Sequence, residues 1–290
     1  MKQIILLFIP LLLISACKKT EFIDTDVEVK FNKSYVFLGH IYETNSTIDP
    51  RVAALDYSKY DGIWLGGDVC AETTLEEETL EMLDLQFDLS NPTTHWTLGN
   101  HDIRSGNINW ITNKTLRPTY YTTSFDGITL MVLNSMFFYG GYDTLSVNKQ
   151  FEMIQNVCDT IQNSSHLVLL THHMVWNIVV PGSRNLANLD RSDTYFNLNP
   201  AQHYEHSVYP LLEQVEARGV DVIHIAGDFG QKAAKLEALT ASGVQYIGSG
   251  ITSNTLYHST NSTHGIPDSI LVMHHDILQR ELTWEFVQLD

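Results

Sequence analysis

Three short blocks carry side chains of the kind that hold metal ions: Gly66-Gly67-Asp68, Gly99-Asn100-His101-Asp102 and Thr171-His172-His173. Each follows a β-prone run, and two of them open on glycine, which lets the backbone turn sharply just before the donor. Oxygen and nitrogen donors of this mixture suit Zn, Mn or Fe. Two further blocks, Gly39-His40-Ile41-Tyr42 and Gly227-Asp228-Phe229-Gly230, also follow β-prone runs and add His40, Tyr42 and Asp228 to the candidates. The loops at strand C-terminal ends are therefore expected to carry the site.

The elements that must position these blocks can be traced along the chain. Tyr35-Val36-Phe37-Leu38 and Gly62-Ile63-Trp64-Leu65 read as buried strands that end at glycine. Thr74 with Glu77 makes a capping-box signature, followed at helical spacing by Leu80, Leu83 and Phe87. Asp126-Gly127 predicts a hairpin, and Phe151, Ile154, Cys158 and Ile161 fall on one helix face. Leu167–Leu170 and Val222–Ala226 are further strands, separated by a helix carrying Leu211, Leu212 and Val215 that stops at Gly219. Strands alternating with helices, then hairpins at Ser242-Gly243 and across Ile270–Leu289, predict an α/β fold in which a two-sheet sandwich is flanked by helices.

The blocks, in this order, resemble the calcineurin-like metallophosphoesterase family, whose pattern is Asp-x-His, Gly-Asp, Gly-Asn-His-Asp/Glu, His, then Gly-His-x-His. The resemblance runs from about Tyr35 to the C-terminus and implies a four-layer αββα fold. It also implies one or two divalent ions (Mn, Zn, Fe or Mg) and hydrolysis of a phosphate mono- or diester by metal-activated water. By position, Asp68 would bridge two metals and Asn100 and His172 would bind the second. His101 would be the non-ligand catalytic histidine, with Asp102 orienting its ring.

Two blocks depart from that pattern. His40 stands for the Asp and Tyr42 for the His of the first, while Asp228 replaces one histidine of the last and Gly230 removes the other. The first metal position thus loses one ligand outright and has two others changed. Asp68, Asn100, His172 and Asp228 still offer four donors, so a mononuclear site is one reading, with His40 on a weaker second ion or on the phosphate. Tyr42 is either a structural hydroxyl or a ligand to an iron-like ion. Tyr42, His173 and Arg104 are the candidate substrate contacts. The alternative to a hydrolase is a non-catalytic binding protein of the same fold.

Other features have plainer readings. His224 lies inside a buried strand and is expected to be a satisfied core residue. His274-His275 alternate across a C-terminal strand and are expected to do nothing catalytic. The polar connection from Pro181 to Ser207, with Tyr195, Phe196, His203 and His206, could cover the substrate. Gly248-Ser249-Gly250 either frames a phosphate or makes a tight turn.

Seventeen Lys and Arg against 34 Asp and Glu give a formal charge of -17, and no basic cluster interrupts it. A polyanionic backbone would be repelled, which excludes nucleic acid and leaves a small phosphoester as the expected partner. At the N-terminus, Ile4–Ile14 is apolar but too short to span a bilayer, and Ser15-Ala16-Cys17 follows it. Leu13–Cys17 resembles a bacterial lipobox. Residues 1–17 are therefore expected to be a lipoprotein signal ending at a lipidated Cys17, 18–33 a tether, and 34–290 the domain. This places the protein at the cell envelope, held to the membrane by lipid. Cys70 and Cys158 could be paired or free.

Overall fold

Alternation along the strands sets the layering of the computed structural model, which describes residues 32–138, 143–176, 179–180, 203–228, 234–251 and 267–289. In β1 (Asn32–Leu38), Tyr35 and Phe37 face one core while Val36 and Leu38 face another. In β6 (His166–His173), Val168 and Leu170 share the core of Tyr35 and Phe37, whereas Leu167 and Leu169 join a third. Both strands are apolar on both faces, as strands covered on both sides must be.

The first sheet runs β11-β10-β1-β2-β3 and the second β4-β5-β6-β7-β9-β8. In the first, β2 (Gly62–Leu65) and β3 (Thr94–Trp96) lie parallel to β1, and β10 (Ser269–Asp276) and β11 (Glu281–Gln288) close it antiparallel. In the second, β5 (Ile128–Val132), β6, β7 (Asp221–Asp228) and β9 (Gln245–Gly250) are parallel. The edges β4 (Tyr121–Phe125) and β8 (Ala234–Leu239) are antiparallel.

Residues of both sheets form the central core, among them Phe37, Trp64, Val132, Leu170, Ile225 and Met273. Helices α1 (Pro50–Ala53), α2 (Glu77–Phe87) and α4 (Ile108–Thr115) cover the outer face of the first sheet through Val52, Leu80, Leu83, Phe87 and Ile111. On the second sheet, α5 (Thr144–Thr160) and α7 (Tyr209–Glu216) pack Ile154, Val157, Leu212 and Val215. Helix, sheet, sheet and helix make the four layers. Two short helices, α3 (Asn100–Ile103) and α6 (Tyr204–Ser207), complete the described set.

Several expectations are modified. The structural unit Phe31–Asp290 begins before Ser34, and Asn32 and Lys33 already pair with Asp276 and His275. Thr74 does not cap α2: the N-cap is Glu76, and the Thr74 hydroxyl donates to Asp102 O at 3.0 Å. Gly248-Ser249-Gly250 is not a turn but the end of β9. Cys70 and Cys158 are both free and buried, in cores on opposite sides of the sandwich. His224 is satisfied, by Tyr204 Oη at 2.8 Å and Thr171 Oγ1 at 3.1 Å. The signal and tether residues 1–31, most of the 181–207 connection including Tyr195 and Phe196, and Phe229 and Gly230 lie outside the described residues.

Candidate metal centre

Parallel β1, β2 and β3 bring their C-terminal ends to one edge of the first sheet, and parallel β6, β7 and β9 do the same in the second. The two edges meet backbone to backbone. A Cβ on Gly39 would stand 2.2 Å from Ser249 O, and one on Gly227 would stand 2.2 Å from Gly66 O, so neither position admits a side chain. Ile251 N donates across the junction to Gly39 O at 3.2 Å. Immediately beyond it, His40 (φ 54°) and Asp68 (φ 51°) sit in the left-handed region, which costs a side-chain-bearing residue about 1–2 kcal/mol. Strain of this kind gathers at functional sites, where the surrounding structure holds it.

Asp68 Oδ2 is the hub. His172 Nε2 lies 3.3 Å from it, and His40 Nε2 and His101 Nε2 each lie 3.9 Å away. In all three rings the other nitrogen faces a backbone carbonyl: His172 Nδ1 to Gly66 O at 2.8 Å, His101 Nδ1 to Ala71 O at 3.0 Å, His40 Nδ1 to Ile251 O at 3.2 Å. A carbonyl only accepts, so Nδ1 carries the proton and, in the neutral ring, Nε2 is left with its lone pair toward the carboxylate. Metal-binding imidazoles are fixed in this same way. His172 Nε2 is buried and has no hydrogen-bond partner.

On the far side of His172, Asp228 Oδ2 lies 3.7 Å from His172 Nε2 and 3.9 Å from His173 Nε2. His172, His173 and Asp228 can bring ligand atoms within 4.8 Å of one another. Burial opposes ionisation of both Asp68 and Asp228, but His172 leads the neighbouring histidines in outweighing it, and both carboxyls stay below their usual range. Burial likewise lowers His172, yet Asp68 and Asp228 overcome it and raise the ring to about 10. His173 is driven down to about 3 by burial and by His172 beside it. The ion-free His172 ring is therefore protonated at neutral pH; once a divalent ion displaced that proton, Nε2 would stand as a nitrogen donor beside carboxylate oxygens, a set that suits a first-row ion.

Several expected roles change. Asp102 does not orient the His101 ring, which Ala71 O holds instead. Its carboxylate accepts from Asp68 N, Val69 N and Gly99 N at 2.8–3.0 Å, from Thr73 Oγ1 at 2.7 Å and from Trp96 Nε1 at 3.3 Å. It is fully buried and clamps the loops that carry Asp68 and Asn100. His173 is only 3% exposed, so it is no surface contact for substrate. Its Nδ1 lies 2.8 Å from Ser135 Oγ and its Nε2 lies 3.2 Å from Asn100 Oδ1. Arg104 pairs with Glu72 Oε1 at 2.5 Å, and Ser105 Oγ bonds the other carboxylate oxygen. That pair uses one terminal nitrogen of a guanidinium that stays 42% exposed.

Tyr42 stacks on His101 with centroids 5.1 Å apart and tilts against His40 at 4.7 Å. The ring therefore buttresses both imidazoles. Asp68, Asn100, His101, His172, Asp228 and His40 all converge as expected. The carbonyls of Gly66, Ala71 and Ile251 had no signal in the sequence, and neither did Thr73 or Ser135.

A two-sheet sandwich with nitrogen and oxygen donors gathered where its parallel strands end is the architecture of a metallophosphoesterase. A family model described as calcineurin-like phosphoesterase matches residues 37–201, more than half of the chain, and the chain belongs to that family. Its members bind divalent metals and hydrolyse phosphoesters. The match takes in His40, Asp68, Asn100, His101 and His172 but ends before Asp228. No curated protein matches the chain.

Proposed function

We propose that the protein hydrolyses a small phosphoester at the cell envelope in a reaction that requires a divalent ion. The observation that carries this reading is His172: Nδ1 tied to Gly66 O, and a fully buried Nε2 placed between the carboxylates of Asp68 at 3.3 Å and Asp228 at 3.7 Å. A bound divalent ion supplies Lewis acidity toward phosphoryl oxygens and makes water acidic enough to attack at neutral pH.

The chain's own residues do the rest. His172, Asp228, Asp68 and Asn100 would hold the ion. His101, whose side chain is 20% exposed, keeps Nδ1–H on Ala71 O and in its imidazolium form can pass the Nε2 proton to the leaving oxygen. Tyr42 and Ala71 O fix the direction of that ring. Asp102 keeps Asp68 and the Gly99–Asn100 turn in place through its five donors. The acidic surface favours a small substrate over a nucleic acid. The envelope location is inferred from Leu13–Cys17 alone.

The test is hydrolysis of p-nitrophenyl phosphate and bis-p-nitrophenyl phosphate by the detergent-solubilised full chain, stripped and then reloaded with Mn, Zn or Fe. Turnover of either ester that disappears on chelation and in His172→Ala supports the proposal. Metal-loaded protein that turns over neither ester overturns it and leaves a binding protein of the same fold.

A further inference from the structure

We infer that this centre holds one divalent ion rather than two, and that His40 lies outside its ligand set. The inference rests on the metal-dependent reading above and adds a stoichiometry to it.

Ligand atoms bound about 2.1 Å from a common ion cannot lie more than about 4.2 Å apart. Among the described residues, only His172, His173 and Asp228 form a group of three ligand-type side chains whose atoms come within 4.8 Å of one another. Asp68 Oδ2, 3.3 Å from His172 Nε2, and Asn100 Oδ1, 3.2 Å from His173 Nε2, adjoin that group. A mixed nitrogen and oxygen shell there would draw on these neighbouring atoms.

The opposite side of Asp68 is built differently. His40 Nε2 and His101 Nε2 each approach Oδ2 to 3.9 Å, but they form no such group of three. The ring of Tyr42 packs on both imidazoles, 4.7 Å from His40 and 5.1 Å from His101 between centroids, which holds the two rings apart from the His172 cluster's geometry.

Charge points the same way. The carboxylates of Asp68 and Asp228 face the cluster, while that of Asp102 is taken up by five hydrogen-bond donors. One divalent ion balances Asp68 and Asp228. A second would have to be balanced by bound hydroxide and the phosphoryl group rather than by these carboxylates.

The experiment is metal counting on the detergent-solubilised full chain loaded with Mn, by elemental analysis and by electron paramagnetic resonance. One equivalent with the spectrum of an isolated Mn(II) is expected. His40→Ala should keep that equivalent, and Asp228→Ala should lose it. Two equivalents, or an exchange-coupled pair, overturn the inference while leaving metal-dependent hydrolysis standing. No bound metal under any loading overturns both. Loss of the ion from a His40→Ala variant with unchanged circular dichroism shows His40 to be a ligand and overturns the second clause.

Discussion

His172 Nε2 and Asp68 Oδ2 lie 3.3 Å apart, both buried. In the ion-free protein a proton on His172 holds that pair together, and a divalent ion would take the proton's place. His172→Ala should therefore cost bound metal and hydrolysis together, by about 100-fold or more in affinity, since outer-shell changes alone cost about 10- to 100-fold. Titration with Mn followed by calorimetry checks it. Unaltered affinity would remove His172 from the ligand set.

His101 and Asp102 adjoin in sequence but should behave oppositely. His101→Ala should lower turnover about 100- to 10,000-fold, the range for losing a general acid or base, and leave metal content and thermal stability unchanged. Steady-state kinetics beside elemental analysis decides this. Loss of metal in the variant would make His101 a ligand.

Asp102→Asn exchanges an acceptor of five donors for an amide that brings two donors of its own. Stability should fall by about 3 kcal/mol, as buried amides lose a charged partner. Urea unfolding measures it. Unchanged stability with abolished turnover would restore a catalytic role to Asp102.

Acid should destabilise the fold through its buried neutral histidines. Burial lowers His224 to about 3, and burial followed by Arg117 lowers His95 to about 3. Unfolded histidine titrates near 6.5, so between that value and 3 the unfolded chain binds more protons. The stabilisation is thus complete above about pH 6.5 and is lost as pH falls toward about 3, by about 1.4 kcal/mol per unit for each ring. Unfolding free energies at pH 7 and pH 5 test the slope. His224→Gln should flatten it by about one proton, and an unchanged slope would sink the assignment.

The envelope location has its own test. Cys17→Ser should move the protein from the membrane fraction to the soluble fraction, because a lipid chain there anchors by burying methylenes. Retention in detergent-extracted membranes equal to that of the original chain would overturn the anchor.

Much of this architecture is legible in the sequence because it rests on local signals. Strand after strand ends at glycine next to a donor, and the continuous apolar run Tyr35-Val36-Phe37-Leu38 announces a strand buried on both faces. The misread positions have non-local causes. Thr74 has the spacing of a helix cap, but Asp102 O, remote in sequence, draws its hydroxyl away. Asp102 resembles a ring-orienting partner of His101 until its five donors are seen, three of them backbone amides that no residue type announces. His173 is set by Ser135, which follows the neighbouring strand β5, and by Asn100, which reaches it only once the second sheet packs on the first.

The glycine junction explains how ligands can be exchanged at such a centre. Gly39 and Gly227 fix where the chain passes, by backbone contacts too close for any Cβ, and neither touches a cation. His40 and Asp228, their immediate neighbours, can therefore change identity without moving the strands that carry them. Path and chemistry are inherited separately here. Drift at position 228 would change the donor offered to an ion, while drift at 39 and 227 threatens the fold itself.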